Sequence, residues 1–226
     1  MRQVLRDCLR LLKRRLYVSG STEREIVDSF HRLYHQTGKI MGSWGVTWRG
    51  RPVAQNPMDL MAIAGIIQKF GETDCYILEI GSGHGGSAFF FANAGAMFVD
   101  SWDLNSPPTD PRFAGTVHFE TKDSRDGPPA GMKDRIYSLV ILDGDHHAEI
   151  VGKELFLYHR LVRLGGYLII CDTHFNGHPI APEFGPGPWE AVEQFLASPA
   201  GAGFVRDRDV EPLLTWNPGG YLRRVK

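Results

Sequence analysis

Residues 75–87 read CYILEIGSGHGGS: a short apolar strand, a carboxylate at Glu79, then glycines at 81, 83, 85 and 86. Gly81, Gly83 and Gly86 keep the spacing with which a strand turns tightly into a helix N-terminus in dinucleotide-binding folds. Glu79 changes what such a turn can hold. A carboxylate two residues before the first glycine points into the space where a dinucleotide places its pyrophosphate. Two like charges about 4 Å apart repel by roughly 4 kcal/mol at an effective dielectric of about 20. The turn therefore suits a cationic ligand. S-adenosylmethionine carries an ammonium and a sulfonium and no phosphate, so an acidic strand end with Ser82 and Ser87 beside the glycines fits that cofactor.

A chain of 226 residues, 42% of them hydrophobic, can bury the core of one α/β domain with about forty residues to spare for an appendage. The expected division is a helical extension and lid over 1–56 and a cofactor-binding domain over 57–226. A net charge of −1 gives no global attraction to nucleic acid, and only the N-terminus is locally basic. Of Cys8, Cys75 and Cys171, two fall inside apolar strands, which argues for free thiols in a reducing compartment. No apolar run approaches the length of a membrane span. The expectation is a cytoplasmic protein without a transmembrane segment.

Outward from the glycine turn, the hydrophobic period changes repeatedly. Residues 2–17 place Val4, Leu5, Cys8, Leu9, Leu12 and Leu16 on one helical face and Arg2, Arg6, Arg10, Lys13 and Arg14 on the other, as a packing or dimerisation helix would, or one lying on an anionic surface. A second amphipathic helix is expected over 23–36, after a cap in SGST. Residues 37–57 are rich in Gly, Trp and Pro and read as irregular, with Trp44, Trp48 and Pro52 either forming a lid or packing over the sheet edge. A helix from Pro57 leads into the glycine strand. Beyond it, strands over 96–103, 116–120, 137–143 and 166–172 alternate with helices over 87–94, 147–164 and 188–197, and two terminal strands close the order near Phe204 and over 221–225. That alternation specifies a mostly parallel sheet covered on both faces.

In such sheets ligands bind outside the carboxyl ends of the strands, and Glu79, Asp103, Asp143 and Asp172 stand at four of those ends. Asp103 follows Gly81 by 22 residues, the spacing of an acid that hydrogen-bonds ribose hydroxyls; Asp100 is the fallback. Asp123 is placed to accept from an adenine amino group. LDGDHH over 142–147 and CDTH over 171–174 are the densest chemical cluster. Asp143 and Asp172, on adjacent strand ends, can converge as hard oxygen ligands for Mg²⁺, and a softer ion becomes possible if His146 or His174 joins them. Asp145 can instead cap the following helix.

The segments VDSFHRLYH (27–35), GVTWRGRPVAQNPMDL (45–60), EIGSGHGGSAFFFA (79–92), LDGDHH (142–147) and LGGYLIICDT (164–173) together resemble the cephalosporin hydroxylase family over nearly the whole chain. Despite its name, that family is built as class I S-adenosylmethionine-dependent methyltransferases acting on natural products and sugars. The resemblance implies a Rossmann-like, mostly parallel seven-stranded sheet. It assigns Glu79, Gly81 and Gly83 to the cofactor turn, Asp103 to the ribose, and Asp143 with Asp172 to a divalent-metal site. The family often carries an acidic pair at the end of its fifth strand. Here Cys171 precedes Asp172, which makes Asp145 or Thr173 a replacement ligand and leaves the thiol either zinc-directed or buried.

The mechanism expected is in-line displacement at the sulfonium methyl by a hydroxyl of a small-molecule or saccharide acceptor. The proton would leave to His146, the first choice as base, to His174, or through metal coordination, with Asp143 part of the catalytic group. A homo-oligomer through the N-terminal helices is expected. Two alternatives stand beside this: a nicotinamide-dependent oxidoreductase, which would share the glycine turn but leave Asp143 and Asp172 unexplained, and a non-catalytic cofactor- or metal-binding partner of another biosynthetic enzyme.

Overall fold

The computed structural model describes residues 22–41, 46–71, 74–105, 107, 109–132 and 135–226. The basic segment 2–17, Cys8 and Trp44 lie outside the described residues. Among the described residues, five α-helices and nine strands follow in the order α1 (Glu23–Met41), β1 (Val46–Trp48), β2 (Arg51–Val53), α2 (Pro57–Phe70), β3 (Tyr76–Ile80), α3 (Gly86–Asn93), β4 (Phe98–Asp103), β5 (Val117–Thr121), β6 (Tyr137–Leu142), α4 (Ala148–Tyr158), β7 (Val162–Ile170), α5 (Pro188–Leu196), β8 (Phe204–Arg206) and β9 (Tyr221–Arg224).

The main sheet has seven strands in the order β5-β4-β3-β6-β7-β9-β8. β3 to β7 pair in parallel, whereas β9 runs antiparallel to both β7 and β8. Successive strands step outward from β3 through β4 to β5, and the chain then returns to set β6 on the other side of β3. That reversal opens a crevice at the strand ends, where open α/β sheets bind ligands.

Period-2 alternation sorts the core into two layers. Leu78, Ile80, Val140, Leu142, Leu168 and Ile170 face Val151 and Leu155 of α4 and Phe195 of α5. Ile77, Val99, Leu139, Ile141 and Ile169 face Ile63, Ile66 and Ile67 of α2 and Phe91 of α3. Each such side chain contributes roughly 1.5–3 kcal/mol on burial, so β3 and β6, which bury apolar side chains on both faces, anchor the crevice.

The helix starts are set by local chemistry. Thr22 and Glu25 exchange bonds at the head of α1: the Thr22 N–H donates to the Glu25 carboxylate at 2.6 Å, and the Glu25 N–H donates to the Thr22 hydroxyl at 3.3 Å, a capping box. Asn56 caps α2 by accepting from the Met58 N–H at 3.0 Å, with Pro57 at the first helical position.

Three sequence expectations are corrected. The irregular segment 37–57 holds the end of α1 and the antiparallel hairpin β1–β2. Trp48 meets Phe90 edge-on at 5.2 Å, and a side chain on Gly86 would strike the Pro52 carbonyl at 2.3 Å, so the hairpin is packed down onto α3. The helix expected over 147–164 ends at Tyr158, followed by a 3-10 turn over His159–Leu161. β7 then begins at Val162, four residues before the expected strand. The pairing register shifts between Tyr137 and Leu139, opposite the Gly165–Gly166 pair, and Gly166 lies so close to the Ser138 carbonyl that a Cβ would sit 2.6 Å from it. The glycines are thus absorbed as a bulge within the strand.

Candidate functional site

A cavity of about 500 Å³ opens at the carboxyl ends of β3, β4, β6 and β7, within the range of small-molecule and cofactor sites. Gly81, Ser82, Gly83, Ser87, Asp103, Asp123, Asp143, Asp145, His146 and Asp172 all line it, so most of the residues singled out in the sequence meet in one place.

The glycine turn forms because no side chain fits there. Gly81 has φ +99, and a Cβ on it would sit 2.1 Å from the Asp143 carbonyl oxygen. Its N–H donates to the Trp102 carbonyl at 2.8 Å. The turn thus locks β3, β4 and β6 together at the switch point. The Gly83 N–H donates to Asp103 Oδ2 at 2.9 Å, and the Asn105 N–H to Asp103 Oδ1 at 3.1 Å. The acid at the end of β4 is thereby fixed against the turn, on the cavity wall. Asp100, the fallback, is consumed elsewhere: it is buried and accepts from the Tyr137 hydroxyl at 2.6 Å and from Arg135 at 2.8 Å.

Glu79 is not in the wall. It is fully buried beneath the turn and accepts from the Ser101 hydroxyl, and the Ser101 and Ser82 hydroxyls meet at 2.7 Å. Burial raises its pKa to about 7, against the lowering effect of hydrogen bonds from Ser101 and Ser87. The carboxylate expected to face the ligand instead organises the serines that do. Gly86 likewise serves the hairpin rather than the cavity.

Asp143 and Asp172 converge as expected. With His146 they offer ligand atoms that all lie within 4.8 Å of one another, and His146 Nε2 is 3.2 Å from Asp172 Oδ2. Burial, then the charge of Asp172, pushes Asp143 up to about 7; burial, then Asp59, pushes Asp172 to the same value. Two hard carboxylates held together against their own repulsion, beside an imidazole, fit a divalent cation that keeps several waters.

Other expected ligands are corrected. Thr173 is buried and donates its hydroxyl to the Pro218 carbonyl at 2.8 Å. Asp145 lines the cavity but is engaged by His147, the residue that precedes α4, accepting from its N–H at 2.7 Å and meeting its Nδ1 at 2.8 Å. Cys171 is buried, and desolvation together with the surrounding carboxylates holds its thiol protonated, so it backs the acid pair as a thiol donor to Asp143. His174 is 1% exposed and packs under α1, away from the cavity lining, so it is not placed to serve as base. Asp123 lines the cavity, but both its oxygens are engaged by the Arg125 guanidinium at 2.5–3.0 Å.

Two lining residues escaped the sequence reading. Gln55 donates its amide to Asp143 Oδ2 at 2.8 Å. Glu154, one turn and a half into α4, is buried, accepts from the Ser124 hydroxyl at 2.5 Å and is pushed up to about 7 mainly by burial. Gln55 lay within a quoted motif without a chemical partner to mark it, and Glu154 looked like the polar face of a helix.

Residues 41–107 and 130–225 match the protein family described as Rhamnosyl O-methyltransferase/CmcI. A rhamnosyl O-methyltransferase of Mycobacterium tuberculosis is 34% identical over 214 residues, covering 88% of this chain and 85% of the relative. Its counterpart in Mycobacterium leprae is 32% identical over 198 residues, covering 79% and 82%. Among solved structures, one described as CmcI with Mg and SAM superposes with a TM-score of 0.59 at 19% identity, covering 80% of this chain and 77% of that one. A CmcI structure with SAH gives 0.53 at 16% identity, covering 79% and 81%. These two superpositions bear on the fold.

Proposed function

Since the chain belongs to the rhamnosyl O-methyltransferase/CmcI family, we propose that this S-adenosylmethionine-dependent methyltransferase acts on a hydroxyl of a sugar or glycosylated natural product, assisted by a divalent cation of the Mg²⁺ type. The observation that carries the reading is the convergence of Asp143, Asp172 and His146 beside the glycine turn in one cavity. The named relatives act on rhamnosyl groups, and the CmcI structure described with Mg and SAM offers a matching cofactor pair for the same fold.

In this reading Asp103 takes the ribose hydroxyls, Ser82 and Ser87 take polar atoms of the amino-acid part of the cofactor, and Glu79 holds Ser82 in place through Ser101 and Ser87 directly. Asp143 and Asp172 would hold the cation, with Gln55 keeping Asp143 in its rotamer. A cation held there would lower the pKa of the acceptor hydroxyl. His146, oriented by Asp172 at 3.2 Å, takes the proton as the acceptor oxygen forms its bond to the methyl carbon. The carbon–sulfur bond breaks, leaving S-adenosylhomocysteine and a methyl ether. Holding both reactants in line at near-attack distance supplies the rest of the acceleration.

Calorimetric titration with S-adenosylhomocysteine and with NADH, each with and without Mg²⁺, tests the cofactor. Transfer of a labelled methyl group to a rhamnosylated acceptor tests the reaction. Binding of NADH alone would restore the oxidoreductase reading. Binding of S-adenosylhomocysteine with no transfer to any glycosylated acceptor would restore that of a non-catalytic partner, whose basic docking helix lies outside the described residues. Among the described residues, no helix is long and apolar enough to cross a membrane. A cytoplasmic setting and assembly through the N-terminal helices belong to the same proposal, and light scattering of the full chain tests the latter.

A further inference from the structure

The chain turns sharply at Asp172, whose φ is +55, and this carries His174 away from the acid pair to meet α1. There it joins His31 and His35, one helical turn apart on that helix. One ring nitrogen from each of the three lies within 4.8 Å of the others. His35 Nε2 and His174 Nε2 are 3.1 Å apart, a hydrogen-bond contact that is also close to the spacing of about 3.3 Å that two imidazoles adopt on a tetrahedral ion with bonds of about 2.0–2.1 Å.

His31 and His174 are each 1% exposed, and each has a buried Nδ1 with no hydrogen-bond partner. Asp172 Oδ1 lies 3.5 Å from His174 Nδ1, so a carboxylate faces the ring without hydrogen-bonding it. Trp216 stacks against His174 and His35, both at 5.7 Å between centroids, and walls the group with apolar surface.

We propose that His31, His35 and His174 form a three-histidine site for a borderline transition-metal ion of the Zn²⁺ type, distinct from the hard site at Asp143 and Asp172, which pins α1 to the end of β7. Imidazole ligands select such ions, whereas carboxylates and water suit Mg²⁺. One carboxylate, Asp172, adjoins both sites: Oδ2 faces His146 and Oδ1 faces His174.

The test uses the full chain, stripped with a chelator, re-equilibrated with Zn²⁺ in excess Mg²⁺, dialysed and analysed for metal, with Co²⁺ as a spectroscopic substitute. We expect one equivalent of zinc in the wild type and in Asp143→Asn. We expect none in His35→Gln, which still binds S-adenosylhomocysteine and is therefore folded. The Co²⁺ spectrum of the wild type should be that of a tetrahedral complex. Wild type that retains no zinc, or an octahedral Co²⁺ spectrum, would overturn the site. So would zinc that survives His35→Gln and disappears with Asp143→Asn, because the ion would then sit on the acid pair.

Discussion

Asp59 on α2 and Asp143 after β6 are carboxylates whose proton affinity burial raises, to about 6 and about 7 respectively, yet they meet different partners. Asp59 is 1% exposed and receives the Thr215 hydroxyl, the Trp216 N–H at 2.8 Å and the Tyr221 hydroxyl at 2.7 Å. Its donors come from the C-terminal segment, so it ties that segment to α2. Asp143 lines the cavity with the Gln55 amide and the weak Cys171 thiol as donors, and faces a second carboxylate. A buried acid surrounded by donors is structural, because its charge is already compensated. A buried acid facing another acid lacks compensation that a ligand can supply.

The contrast breaks most readily by mutation. Asp143→Asn should lower kcat by roughly 10²–10³-fold, the scale of removing one preorganised electrostatic group, and abolish stabilisation by Mg²⁺ while leaving the affinity for S-adenosylhomocysteine nearly unchanged. Asp59→Asn should do the reverse, costing about 1–3 kcal/mol of stability through mismatched buried donors and leaving kcat of the folded protein intact. Steady-state kinetics and thermal melts of both variants decide. If Asp59→Asn abolished turnover and Asp143→Asn only lowered Tm, the roles would be exchanged.

Next comes Asp103, whose two backbone donors at 2.9 and 3.1 Å preset it at the glycine turn. Hydrogen bonds to a charged group contribute about 1.5–3 kcal/mol, so Asp103→Ala should weaken S-adenosylhomocysteine binding roughly 10- to 100-fold by calorimetry, with kcat at saturation much less affected.

pH sharpens the comparison more gently. A carboxyl whose folded pKa is raised binds more protons in the folded than in the unfolded chain, so stability falls as pH rises from the unfolded value near 4 through the folded value. For Asp143 and Asp172 that window closes at about 7; Glu79 and Glu154 act in the same direction, and Asp59 only up to about 6. Metal-free protein should therefore melt lower at pH 7.5 than at pH 5. Mg²⁺ should raise Tm more at the higher pH, and the wild-type-minus-Asp143→Asn difference should flatten above about 7. A Mg²⁺ effect independent of pH would detach the cation from these acids.

The parts of the molecule legible in sequence are those fixed by local physics. The glycine turn reads directly because Gly81 tolerates no side chain, and Asp103, Asp143 and Asp172 read because strand ends in a parallel sheet converge. The β1–β2 hairpin did not: its strands are three residues long and are held by Trp48 against Phe90 and by the Pro52 carbonyl and Val53 side chain against Gly86 of α3. The start of β7 was hidden by a bulge that looked like a helix stop. His174 was misplaced because proximity to Asp172 in sequence suggested a shared site, whereas a positive φ at Asp172 sends the chain to α1. Glu79 was expected to face the ligand and lies beneath the turn instead, since nothing local tells that serines stand between it and the cavity.

The smallest effect expected is at Asp123, and it bears on how far sequence position alone can assign a contact. Its carboxylate is spent on Arg125, which binds it through Nε, Nη2 and the backbone N–H, with the last at 2.9 Å, and the pair holds Asp123 down to about 2. For an adenine amino group to gain that carboxylate, Arg125 has to release it. Exposed ion pairs are weak and easily exchanged, so little is gained or lost either way. Asp123→Ala should thus change S-adenosylhomocysteine affinity by less than about threefold, the range of a surface contact, against the much larger loss at Asp103→Ala. If the two variants weaken binding equally, Arg125 lets go when the cofactor arrives, and Asp123 belongs with Asp103 as a ligand-binding acid. In that event Arg125→Ala, which frees the carboxylate beforehand, should tighten binding where Asp123→Ala loosens it.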